Sequence, residues 1–152
     1  MSATNAPFGL RPAYHPSGLD RAVTLADGIA SAYNTAILKG QPVKLNSSGN
    51  IVVAAAGDAF QGAFAGVQFT DSTGRARVSN NWPANTAYTA GSCVAYYYND
   101  PNIVYEIQAA GSLAQTSVGD MADLSNTTAG STTTGLSACT LSTTLAGAGN
   151  SA

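Results

Sequence analysis

The chain has 152 residues, enough for one domain, with 45% hydrophobic residues and therefore material for a core. Only 9% of residues are Asp, Glu, Lys or Arg, against about 25% in ordinary globular chains. Six Lys and Arg at a net charge of −2 exclude a nucleic-acid footprint and a polybasic membrane anchor, and two cysteines are too few for a disulfide scaffold.

Residues 1–20 hold Pro7, Pro12 and Pro16 with Gly9 and Gly18, interleaved with Phe8, Leu10, Tyr14 and Leu19. Proline at this density blocks a helix, so the segment reads as an extended arm. Its large apolar side chains need a surface, supplied by its own domain or by a partner. The first eight residues have no positive region and no apolar run, so no secretory signal is expected.

Residues 21–124 read as a β-rich body. Leu19–Asn34 has helical spacing at Val23, Ala26, Ala30 and Tyr33, weakened by Gly28 and by β-branched residues. Leu113–Leu124, interrupted by Gly119, is a second weak helix candidate, so at most one or two short helical turns are expected. Between turn signals such as Lys39-Gly40-Gln41-Pro42, Asp71-Ser72-Thr73-Gly74 and Asn99-Asp100-Pro101-Asn102, six strands are predicted. They cover Val43–Leu45, Ile51–Ala55, Ala63–Phe69, Ala76–Ser79, Cys93–Tyr98 and Ile103–Gln108. The fold class is mainly β, a small barrel or sandwich-like body. Residues 125–152 are rich in Ser, Thr, Gly and Ala; they predict one strand over 136–141 and then a low-complexity tail. The run Ala146–Ala152 has the look of an interrupted sequence rather than a finished domain.

Chemistry-bearing residues are sparse. The one histidine, His15, lies in the arm between Tyr14 and Pro16, where packing or hydrogen bonding is the ordinary role. Zinc needs clustered Cys and His, and calcium needs closely spaced carboxylates; Asp71, Asp120 and Asp123 fit turns and caps better. Gly57 and Gly62 have the spacing of a phosphate loop without its Lys and Ser/Thr. Glu106 is the one glutamate, which leaves no paired-carboxylate site in sequence. Cys93 and Cys139 read as buried thiols ahead of a bridge. No catalytic, metal or cofactor site and no small-molecule substrate are therefore expected. Arg75 and Arg77 share a face of one strand, and with Tyr96 and Tyr98 they are the candidate subunit interface.

The arm Asn5-Ala6-Pro7-Phe8-Gly9-Leu10-Arg11-Pro12 resembles the opening of the capsid decoration, or cement, proteins of tailed bacteriophages. Lys39–Leu45 with Gly49, Gly57 to Gly62, Asp100-Pro101 ahead of Val104–Gln108, and Ser131–Ser137 are similar to the same group. The resemblance implies a β-barrel-like body, often a trimer, on the outer surface of a virion shell assembled in the bacterial cytoplasm. It implies that the arm lies across the major capsid protein and that the protein stabilises the shell without catalysing a reaction. Pro7, Phe8, Leu10, Arg11, Tyr14 and His15 are then the candidate capsid contacts, and the arm is expected to be removable without unfolding the body. The alternative is a tail or fibre module binding host-surface carbohydrate, motivated by Trp82 and Tyr96–Tyr98.

Overall fold

A computed structural model describes residues 5–18 and 21–146. The strands are β1 (Arg11–Tyr14), β2 (Val23–Ala26), β3 (Pro42–Leu45), β4 (Ile51–Val53), β5 (Gly62–Thr70), β6 (Ala76–Ser79), β7 (Val94–Tyr98), β8 (Val104–Glu106), β9 (Met121–Ser125), β10 (Gly130–Ser131), β11 (Leu136–Ser137) and β12 (Thr140–Ala146). Among the described residues there is no α-helix, and one 3₁₀ turn spans Gln115–Ser117. The protein is mainly β, with antiparallel sheets throughout. The largest sheet runs β2-β7-β5-β3-β4, with β6 also paired to β5; smaller sheets are β1-β8, β10-β11 and β12-β9. The strand path is open at both ends, so the body is sandwich-like and not a closed barrel.

The six predicted strands are all present, each within two residues of its expected ends; in the last, Ile107 and Gln108 leave the ladder after β8. Both helix candidates fail. Val23–Ala26 pairs with β7, Val23 opposite Tyr97 and Leu25 opposite Ala95, and cross-strand packing of β-branched residues wins over a helix that Gly28 already weakens. In the second candidate only Gln115–Ser117 winds, and Met121–Ser125 then pairs with β12. The strand predicted at 136–141 is broken in two. There the Cys139 N–H turns to the Ser137 hydroxyl at 3.1 Å and the Ala138 N–H to the Ala129 carbonyl at 2.8 Å. The tail expected after 141 is instead strand as far as Ala146 at the end of β12, and residues 147–152, with residues 1–4 and 19–20 of the arm, lie outside the described residues.

One core holds the large sheet together. Phe64, Val67 and Phe69 of β5, Ala95 and Tyr97 of β7, Val43 and Ile51 pack with Ile29, Ile37 and Trp82 from the connecting loops. Strict alternation would put Phe64 and Val67 on opposite faces. A bulge solves this: Phe64 pairs with Tyr97 and Val67 with Ala95, so three steps on β5 match two on β7. At the start of β5, Gly62 has φ 152°, and a Cβ there would stand 1.5 Å from the Tyr98 carbonyl oxygen. Only glycine lets β5 and β7 approach at that point.

The arm belongs to this body. Leu10 is 4% exposed, and its N–H donates to the Gly40 carbonyl at 2.8 Å. β1 then pairs with β8, Arg11 opposite Glu106 and Tyr14 opposite Val104. Leu10 fills a site in its own domain, so removing the arm is expected to cost the body stability.

Candidate functional site

The six arm residues separate into anchors and outward groups. Leu10 is the anchor, buried and thus not offered to any partner, and Pro7 is half-buried. Phe8 and Tyr14 are exposed, Tyr14 at 62%. Arg11 ties Phe8 to the body: its guanidinium lies 4.8 Å from the centre of the Phe8 ring and pairs with the Glu106 carboxylate. Phe8 thereby has a cationic partner on its ring while 37% of its surface stays exposed.

His15 closes the arm. Its Nε2 lies 3.0 Å from Asp100 Oδ2, and its Nδ1 accepts the Ser17 backbone N–H at 3.1 Å. That acceptor role puts the neutral ring's proton on Nε2, pointing at Asp100. The Ser17 hydroxyl, at 2.6 Å, converges on the same Nδ1 lone pair as its own backbone N–H, the geometry of a local turn. Asp100 is held below the usual carboxylate range first by the Asn102 N–H and also by His15. Asp100 was legible as a turn residue; its partnership with His15, 85 residues away, was not.

The expected interface residues do not form one patch. Tyr97 enters the core, which turns Tyr96 and Tyr98 to the opposite face of β7. Tyr98 pairs opposite Ala63, while Arg77 pairs opposite Phe69. Six residues of β5 separate these points, roughly 20 Å. Arg77 is held by Asp71 at 2.9 Å, and Arg75 is exposed beside it. Asp71 organises the β5–β6 turn, accepting the Thr73 hydroxyl and the N–H groups of Thr73 and Arg75, and these bonds with Arg77 hold its carboxyl far below the usual range. Tyr96 instead borders a shallow apolar hollow over Gly66, with Ala22, Ala65 and Val78 around it.

Tyr98 joins the arm. With Phe8, Arg11, Pro12, Lys39 and Leu136 it lines a half-open groove of about 330 Å³. Lys39 and Leu136 are the members that sequence reasoning missed. A parallel bridge brings them together, with the Ser137 N–H on the Lys39 carbonyl at 3.0 Å, a contact across about a hundred residues without a local signal. Trp82 is fully buried, edge-on to Phe69 and Tyr88, with Nε1 toward the Tyr33 carbonyl at 3.4 Å. It therefore presents no ring for stacking on a sugar.

Cys93 and Cys139 are free and buried, and burial pushes the Cys139 thiol up to about 11. Among the described residues no three His, Cys, Asp or Glu side chains gather as a metal site, and no helix is long and apolar enough to cross a membrane. No family model matches the chain, and no match is found among curated proteins or solved structures.

Proposed function

We propose that this is a structural virion protein that decorates the outside of a tailed-bacteriophage capsid and stabilises it by bridging major capsid protein subunits. The observation that carries the reading is the arm: Phe8 and Tyr14 point outward from a segment that Leu10 and Glu106 fasten to the body. An apolar face on a fastened strand loses little conformational freedom on docking. Among the described residues β1 pairs with β8 alone, which leaves its other edge for a capsid strand to add by backbone hydrogen bonds. The sequence resemblance supplies the kind of partner. Many identical copies on a symmetric lattice turn such modest contacts into firm retention. On this reading the protein acts at the virion surface, as a homo-oligomer for which the resemblance suggests a trimer. It needs no nucleic acid, membrane, cofactor or substrate.

The test is stoichiometry in purified virions by quantitative mass spectrometry, followed by rebinding of the full chain to stripped shells. A copy number comparable to the major capsid protein, with rebinding lost in the Phe8→Ala/Tyr14→Ala double variant, is the expected result. A few copies per particle would move the protein to the tail, and its absence from virions would overturn the reading.

A further inference from the structure

About half of the charged side chains are held in pairs, and some of the rest are informative. Arg11, His15, Lys44 and Arg77 take Glu106, Asp100, Asp58 and Asp71. Two of the groups left over stand among exposed apolar side chains. Lys39 is exposed at the rim of the arm groove, beside Phe8 and Leu136, which are 37% and 50% exposed. Asp120 is exposed between Val118, 77% exposed, and Met121, 42% exposed. One site is a cationic apolar groove and the other an anionic apolar knob. The knob is preformed: a 3₁₀ turn precedes it, and the Asp120 N–H is tied to the Ser117 carbonyl at 3.2 Å.

These two features lie at different ends of the β9–β12 ladder. The knob sits where Met121 pairs with Ala146, at the far end of the β9–β12 ladder from Thr140, which follows closely on Leu136 at the groove. Six residues of β12 separate the ends, roughly 20 Å. We propose that the Val118–Met121 knob of one copy docks in the groove of a second copy, with the Asp120 carboxylate on the Lys39 ammonium. Such a contact joins different patches on the two copies and is therefore head-to-tail, which builds a ring if the rotation closes. The inference rests on the groove and the knob and holds whether or not a capsid is the protein's target.

Sedimentation equilibrium of the full chain, from micromolar to millimolar concentration, tests it. Self-association is expected for the native chain. Lys39→Glu and Asp120→Lys should each weaken it about tenfold or more, because each places like charges in contact. The reciprocal double variant K39E/D120K should regain most of the loss, a rescue that misfolding cannot produce. A chain that stays monomeric throughout, single variants that associate normally, or a double variant without rescue would each overturn the proposal. Virion stoichiometry is a separate readout, so failure of the capsid reading and failure of this contact are distinguishable.

Discussion

Gly62 and Gly57 look alike in sequence, two glycines flanking a turn, yet their surroundings differ. At Gly62 any Cβ meets the Tyr98 carbonyl, whereas at Gly57, with φ 78°, nothing lies within 4 Å. Gly62→Ala should cost about 3 kcal/mol or more through a forced shift of β5 against β7. Gly57→Ala should cost about 1 kcal/mol, the strain of the left-handed backbone alone. Urea denaturation followed by Trp82 fluorescence measures both, and equal costs would contradict the packing at Gly62. Proton linkage is set by single residues too. Asp71, Asp100 and Asp58 have carboxyls held below their ordinary value of 3.8, so their contribution to stability is present above that pH and is lost as pH falls below it. Asp71→Asn keeps an acceptor for the turn N–H groups but cannot titrate; its urea midpoint should fall less steeply below pH 4. A fall as steep as the native chain's would remove Asp71 from the account. The opposite sign applies at high pH: Cys139 and Tyr105 are pushed up to about 11 and about 12, so their contributions hold below ordinary values of 9 and 10 and fade as pH rises through the folded ones. Both thiols should resist iodoacetamide at pH 8 in the native protein and react once urea is added. The buried thiols could be read from composition and spacing, but a cross-strand clash such as Gly62 to Tyr98 could not.

Individual strands were legible where alternation and turn residues agreed, as in Ala76–Ser79, found with the same bounds. They were illegible where the deciding contact was distant. Val23–Ala26 becomes a strand only because β7 offers an edge, and Leu136 turns toward Lys39 through a bridge that local sequence does not announce. The bulge between Phe64 and Val67 is of the same kind, since it appears only when β5 and β7 are aligned. Proline-rich segments read correctly as extended, but their division into anchor and surface needed the fold. That division makes a prediction at the level of β1 and its approach. Leu10→Ala should cost about 2–3 kcal/mol, in the range for a buried leucine, whereas Phe8→Ala should stay within about 1 kcal/mol. If the two costs are reversed in urea denaturation, the arm is fastened by Phe8 and the outward face assigned to it is lost.

At the scale of the whole molecule, the pairings are dominated by residues far apart in sequence. Arg11 meets Glu106, Lys39 meets Leu136 and Ile37 meets Trp82. Such topologies must close long loops before contacts repay them, so refolding should take milliseconds to seconds rather than microseconds. Stopped-flow Trp82 fluorescence checks this, and a microsecond phase carrying the full amplitude would contradict the topology. The scarcity of charge was visible from the outset, but which charges stay unpaired became visible only after the Arg11–Glu106, Lys44–Asp58 and Arg77–Asp71 pairs were placed. The β1–β8 ladder also has a mechanical meaning. Its hydrogen bonds lie across the strand direction, so tension applied along the arm strains them side by side and at once, not one after another as in peeling a hairpin. Just ahead of β1, Leu10 sits in its socket like a detent, which must be drawn through close-packed neighbours before the arm can slide. A molecule attached by this arm would therefore resist a sideways drag along the arm far better than a lift that peels β1 away from β8.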